Sequence, residues 1–513
     1  MLAINCNDST IAVALWATRP LLLGSGRRGD LAIAPSRSRT FLHQRSLVVS
    51  FRDSKTKLSQ SVSARAPKLT REARALLSNF ASHGPPIGCF IFRMKRLLIL
   101  HVFGALLVTI AHGATSFDLA AKATNELGVD LYLQLATGGE NLCISPYSIN
   151  TALAMTFAGA DGETRSEMAR VLHFPNSSDV PASFSVLQHS LQQMSAKTAE
   201  LVKESKKFGG PSEPITLNIA NRLFAKKGYP FREAFLSLVR QYFGGAFEPL
   251  DFAADPAAAT QRINKWVADQ TRDRIRDLIP VGALDKTTRL VLANALYLKA
   301  PWASEFSQNA TQSEPFFVHG APVDVPMMRR SDKNFGYARR EGFTVVSLPY
   351  AGNELQFLVL LPDDINGLRG LESKLTGDTL PGLAKLEKRD VDLHLPKFKL
   401  EPPTITLAKQ FEALGMKTAF DQPKGSANFD KIAPRTPDDY LYISQIFHKT
   451  FIAVDEKGTE AAAATAVAML AGSALLSPPP PPIEVKVDRP FVYAIQHVPS
   501  GVCLFLGRVT DPR

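Results

Sequence analysis

Enzymes that cut or transfer bonds usually carry their nucleophile, base or metal ligands at recognisable spacings. None of those spacings occurs here: GxSxG, HExxH, a Walker loop and a dinucleotide fingerprint are all absent from the 513 residues. The ten histidines are scattered and none stands beside a Ser and an Asp in a local signature, although a triad drawn from distant positions would leave no such trace. No CxxC pair or close His/Cys cluster offers a metal site, so neither metal nor cofactor is expected. Asn176-Ser177-Ser178 and Asn309-Ala310-Thr311 are glycosylation sequons, which matter only if the chain is secreted. The most unusual chemistry lies late in the chain. After Asp455-Glu456-Lys457-Gly458-Thr459-Glu460 come four alanines, Ala461 to Ala464, then Thr465, an apolar run to Ser473, and the prolines Pro478 to Pro482. Alanine favours helix while Thr and Val favour strand, Gly458 permits a hinge, and the proline run is a stiff rod without ladder donors. The segment is exposed and conformationally uncommitted, and composition alone reads it equally as a solvated linker.

The elements around it must be inferred from patterning. Helical periodicity covers Phe117 to Thr137, Ser148 to Ala158, and Gly162 to Leu172 with Thr164 placed for an N-cap. An amphipathic helix opens at Ile263-Asn264-Lys265-Trp266-Val267 and reaches Leu278, and residues 197–213 are a polar, Lys-rich helix end and loop. Ile215 to Asn221 alternates with period two, and Leu290 to Leu298 is an apolar run suited to a buried strand. Beyond residue 315 strands dominate: Val345 to Pro349, Leu355 to Leu361, Val391 to Leu395, Val485 to Val487 and Phe491 to Val498. A helical front and strand-rich back predict an α+β fold with large sheets.

The formal charge of +11 is concentrated at the N-terminus, where residues 1–93 hold fourteen Lys/Arg against four Asp/Glu. Beyond Arg96 the chain sums to −1, which argues against a nucleic-acid partner. Met94-Lys95-Arg96, the apolar stretch Leu97 to Ala111 and the small-residue site Ala111-His112-Gly113 have the layout of a signal peptide over 94–113. A membrane span takes about 20 apolar residues, and this stretch of fifteen carries His101. A secreted, extracellular, monomeric domain over 114–513, without membrane association, is therefore expected. The basic extension 1–93 reads as low-order sequence upstream of a start at Met94, with a transit peptide or disordered arm as the alternative. Cys143 and Cys503 remain in the mature chain, as two buried thiols or as one disulfide.

A family resemblance separates hinge from linker. Asn141 to Ile149, Ile263 to Val267 with Thr271 and Ile275, Leu292 to Lys299 with Trp302, Leu395-Pro396-Lys397-Phe398 and Val485 to Phe491 resemble, in order, signatures of the serpins. The hinge itself is the sixth match, so the likeness spans Phe117 to Arg513. It implies a serpin fold of about nine helices and three β-sheets, with an exposed reactive-centre loop at about 456–482. The mechanism it implies is suicide trapping: a protease cuts the loop, becomes acylated, and is dragged across the main sheet as the loop inserts. Ser145, Ser148, Asn294 and His448 correspond to the polar cluster beneath the sheet opening, Glu456 and Lys397 to an ion pair at the loop entry, and Trp302 to a cap at the sheet top. Thr459, Ala461, Ala463 and Thr465 are small at inward positions, with no Pro or charge to obstruct insertion. Glu460 and Ala464 are expected to face outward.

Family spacing from Glu456 places the cleaved bond at Gly472-Ser473, whereas spacing back from Glu484 places it near Pro479, so the loop is about seven residues longer than usual. Met469, Leu470, Leu475 and Leu476 are further candidates. No Arg or Lys lies between Lys457 and Lys486, which disfavours trypsin-like targets and favours chymotrypsin- or elastase-like ones. Two alternatives remain open: a non-inhibitory serpin acting as a ligand carrier or chaperone, and glycosaminoglycan binding by Lys203, Lys206, Lys207, Lys226 and Lys227.

Overall fold

The computed structural model describes residues 2–7, 10–15, 117–175, 177–205, 213–245, 247–460 and 480–513. The chain divides into two units, Met1–His101 and Val102–Arg513. The expected signal segment 94–113, Asn176, Lys206, Lys207 and the loop positions Ala461, Ala463, Thr465, Met469, Leu470, Gly472, Ser473, Leu475 and Leu476 lie outside the described residues. In the first unit β1 (Leu2–Asn7) pairs antiparallel with β2 (Thr10–Leu15). Ile4, Thr10, Ile11 and Val13 supply the β-branched residues that favour this pairing.

The second unit opens with α1 (Asp118–Leu135), β3 (Leu142–Ile144), α2 (Pro146–Phe157), α3 (Gly162–Val171) and α4 (Val180–Ser205). There follow β4 (Thr216–Lys226), α5 (Glu233–Tyr242), β5 (Phe247–Leu250), α6 (Pro256–Gln270) and β6 (Leu290–Pro301). The strand-rich half runs β7 (Gln312–Val318), β8 (Ala321–Arg340), β9 (Phe343–Pro349), β10 (Leu355–Pro362), α7 (Leu368–Glu372), α8 (Thr379–Gly382) and β11 (Glu387–Pro396). It ends with β12 (Phe398–Leu400), β13 (Ile405–Thr406), α9 (Ala408–Ala413), β14 (Ile446–His448), β15 (Ile452–Asp455), β16 (Gly458–Thr459), β17 (Ile483–Lys486), β18 (Phe491–His497) and β19 (Val502–Val509). Among the described residues there are nine α-helices and three hydrogen-bonded sheets, of which β1–β2 is the smallest.

Two differences from the sequence reading have local causes. Thr164 lies inside α3, whose N-cap is Asp161, and the Thr164 hydroxyl instead accepts from the Asn428 amide at 3.0 Å. Helix α6 begins earlier and ends earlier than its apolar pattern. Asp255 caps it by accepting from the Ala258 amide, Pro256 takes the first position, and Arg272, Asp273 and Asp277 turn left-handed beyond its end.

A nine-stranded sheet runs β17-β11-β8-β9-β10-β18-β19-β3, with β7 on β8. The eight-stranded sheet runs β12-β15-β16-β6-β14-β13, with β4 on β6 and β5 on β4. Its centre is β6, buried along most of its length. On one edge β6 pairs antiparallel with β4 from Leu290 to Lys299. On the other it pairs parallel with β14 at Leu292–Asn294 and antiparallel with β16 at Ala300–Pro301. Between these contacts Ala295–Lys299 has no ladder partner on that edge among the described residues. Helix α6 packs on this sheet through Ile263, Trp266 and Val267, which meet Phe224, Val291, Ala293 and Ala295. Their burial supplies about 25 cal/mol for each Å² of apolar area removed from water.

Candidate functional site

The side chains singled out from the sequence gather at the two ends of the open edge of β6. At the closed end, Ser145 follows β3 and caps α2, its hydroxyl accepting from the Ser148 amide at 3.2 Å with Pro146 in the first helical position. The Ser145 amide donates to His448 Nε2 at 3.0 Å, and His448 Nδ1 lies 2.9 Å from Asn294 Oδ1. An amide can only donate, so Nε2 is the bare nitrogen and Nδ1 carries the proton. Asn294 Nδ2 donates to the Phe447 carbonyl at 3.3 Å, and the Ser148 hydroxyl donates to Asn221 Oδ1 at 3.1 Å. His448 is fully buried, and burial drops its pKa to about 3. Ser145, Ser148, Asn294 and His448 thus form one connected, neutral cluster joining β6, β14 and α2.

At the other end Trp302, which follows β6, is almost fully buried. Its ring stacks on Tyr350 at 4.6 Å, Nε1 donates to the Asp455 carbonyl at 2.9 Å, and its backbone amide donates to the Lys457 carbonyl. Lys397 Nζ lies 2.9 Å from Glu456 Oε2, and the Thr311 hydroxyl donates to Glu456 Oε1 at 2.8 Å. The Glu456 side chain is only 6% exposed, so this pair is better shielded than a surface bridge. Burial alone would raise the Glu456 carboxyl, but Lys397 and Thr311 outweigh it and leave the pKa lowered.

The hinge turns back into the sheet here. β16 is antiparallel to β15, with Val454 opposite Thr459, and antiparallel to β6, with Thr459 opposite Ala300. Gly458 has φ +154°, and a Cβ there would lie 2.1 Å from the Ala300 carbonyl oxygen. Only glycine fits that approach. Thr459 points inward, 2% exposed, with its hydroxyl 2.5 Å from the Tyr350 hydroxyl. Glu460 does not face solvent as expected: its side chain is 11% exposed and ion-paired with Arg274. Tyr350 and Arg274 carry no local sequence signal, and Thr311 carries only that of a glycosylation sequon, which says nothing of the hinge.

A family model described as serpin (serine protease inhibitor) matches residues 122–512. The chain belongs to the serpin family. Among relatives, this serpin is 34% identical to a leukocyte elastase inhibitor of Equus caballus, over 76% of this chain and 99% of that protein. It is 33% identical to serpin B10 of Sorex araneus, over 77% of this chain and all of that one. Among solved structures, Serpin48 of the insect Tenebrio molitor aligns with a TM-score of 0.61 and 32% identity, covering 76% of this chain and 97% of its own. A cleaved Serpin 42Da aligns with a TM-score of 0.64 and 30% identity, covering 77% and 99%. The α+β serpin fold expected from the sequence is the fold observed.

Elsewhere, Cys143 and Cys503 are buried free thiols, and burial pushes Cys143 up to about 11. Asn309 is exposed on a short 3-10 turn. Among the described residues no cluster of His, Cys, Asp and Glu could hold a metal ion, and no helix is long and apolar enough to cross a membrane.

Proposed function

We propose that this serpin inhibits serine endopeptidases by suicide covalent trapping, with the reactive loop inserting into the eight-stranded sheet. The observation carrying this reading is the seat of Gly458–Thr459 between β15 and β6, above the unpartnered edge Ala295–Lys299. A strand continuing from Thr459 has an edge to pair with. The attacking serine would form an ester with the loop carbonyl, and the new amino terminus would leave on the downstream segment. Thr459 to Gly472 is fourteen residues, and at ~3.3 Å per residue their insertion moves the acyl-enzyme on the order of 45 Å before water can cleave the ester. The apolar loop favours chymotrypsin- or elastase-like targets, and the relative named leukocyte elastase inhibitor agrees with that class.

Incubating the purified chain with chymotrypsin, elastase and trypsin tests the proposal. An SDS-resistant complex is expected with the first two and not with trypsin, and the mass of the released C-terminal peptide identifies the bond among Met469 to Leu476. Clean loop cleavage across a broad protease panel without any complex would overturn trapping and leave the ligand-binding or chaperone-like reading, which the extra loop length favours. Secretion is part of the same proposal, resting on the layout of 94–113. Expression in a secretory cell line should release protein starting near Ala114 and glycosylated at Asn176 or Asn309, and retention of an unprocessed chain would overturn it. Lys203 and Lys227 are exposed, and elution from heparin at no more salt than from a plain cation exchanger would remove glycosaminoglycan from the partners.

A further inference from the structure

We propose that Arg274 and Glu460 form a latch that holds the intact loop seated in the sheet by its first two hinge residues, stopping insertion at Thr459. This rests on the trapping mechanism above and names a control on it.

The stop is written in the backbone. Among the described residues β16 is Gly458–Thr459, and the Glu460 amide donates a sheet-like bond to the Ala453 carbonyl at 2.9 Å. Glu460 itself has φ +50°, in the left-handed region that side-chain-bearing residues rarely adopt. A β-ladder needs φ near −140°, so Glu460 cannot be the next rung as it stands. Further insertion requires it to swing into extended conformation, carrying its carboxylate away from its present partner.

That partner is fixed in place. Arg274 lies on the segment that crosses from α6 to β6, and its Nε donates to Glu460 Oε1. Thr271 pins this segment by accepting from the Ile275 amide at 3.1 Å, and Asn264 of α6 pins it by bonding both the amide and the carbonyl of Ile279. The guanidinium also lies 5.5 Å from the centre of the Phe451 ring, just ahead of β15. Arg274 therefore touches both the hinge and the residue that leads into the strand beside which the hinge sits.

The seat also needs the pairing. Among the described residues Glu460 Oε2 is buried without a hydrogen-bond partner, and burial pushes the carboxyl above its usual range although Arg274, Tyr297 and Lys299 all oppose that rise. Removing Arg274 would leave a buried carboxylate facing a phenol and one lysine, and Lys299 is already ion-paired with Glu213. Glu460 would then favour leaving the sheet for water.

Hydrogen exchange read by mass spectrometry on the full chain, in peptides spanning residues 453–460, tests the latch without any protease. The Thr459 and Glu460 amides should be protected in the unsubstituted chain. Arg274→Ala and Glu460→Gln should each speed their exchange by about three- to tenfold, and the charge swap Arg274→Glu with Glu460→Arg should restore protection. High salt should mimic Arg274→Ala in the unsubstituted chain and change nothing in Glu460→Gln. Unprotected hinge amides, or protection unmoved by both single substitutions, would overturn the latch. Failure of the chain to form SDS-resistant complexes would sink the trapping mechanism and leave the exchange result standing. A chain that traps proteases with an unprotected hinge would sink the latch alone.

Discussion

His448 is the one histidine of the sheet closure, and its burial ties stability to pH in a calculable way. Its pKa falls from the ordinary 6.5 to about 3, so the folded chain resists protonating it while the unfolded chain does not. A lowered pKa gives a contribution that is complete above 6.5 and shrinks as the pH falls toward 3. At ~1.4 kcal/mol per unit, moving from pH 7.5 to pH 5.0 removes about 2 kcal/mol. For a domain of roughly 400 residues with an unfolding entropy of ~2.1 cal/mol/K per residue, that is a fall of about 2–3 °C in melting midpoint. His497 is also buried, with its pKa lowered to about 4, so the raw pH dependence belongs to both groups. His448→Gln separates them, because an amide can accept from the Ser145 amide and donate to Asn294 without titrating. The assay is the melting midpoint at one fixed scan rate, since serpin unfolding need not be reversible. The unsubstituted chain should lose about 2–3 °C more than His448→Gln between pH 7.5 and 5.0. Protonation would also orphan the Ser145 amide and loosen β14 from β6, so conversion of the uncut chain to an inactive, loop-inserted form should quicken at pH 5.0 in the unsubstituted chain alone. Identical pH losses in the two proteins would refute the argument.

Three further substitutions probe the other end of the open edge. Gly458→Ala would force a Cβ against the Ala300 carbonyl oxygen. It should expel the hinge, cost about 1–3 kcal/mol, and shift the outcome with a target protease from trapped complex toward cleaved inhibitor on SDS gels. Trp302→Ala removes the ring stacked on Tyr350 and orphans the Asp455 carbonyl, so denaturant melts should show a loss of about 3–5 kcal/mol, with Trp302→Phe recovering most of it. Lys397→Ala leaves Glu456 buried beside Thr311 alone. The lowered Glu456 pKa means that its contribution is present above the ordinary glutamate range and fades as acid protonates it. Lys397→Ala should therefore be less stable than the unsubstituted chain at pH 7 and converge with it near pH 3 in the same melts.

Strands and helices of the serpin core were legible in the sequence because their signals are local. The run Leu290 to Leu298 and the alternation of Ile215 to Asn221 reappear as β6 and β4. The residues of the closure were found through a family resemblance, since nothing about Ser145 or His448 in isolation marks a contact across 303 positions. Tyr350, Thr311 and Arg274 stayed hidden for the same reason: each meets the hinge across more than 100 positions, and no motif marks that contact, the sequon holding Thr311 pointing to glycosylation instead. Glu460 is the most instructive case. Strand alternation correctly set it on the face opposite Thr459, and from there the step to solvent looked automatic. That step holds only for an uncovered sheet. The face opposite the Tyr350 side lies under α6 and the pinned segment Thr271–Ile279, so a residue directed away from one core enters another layer. Charge at that position is therefore not neutral to insertion, as a solvent-facing residue would be, but depends on a cation placed by a different element. The same geometry explains why small side chains at inward positions are a necessary condition for loop insertion and not a sufficient one, because the outward positions must also pass beneath α6.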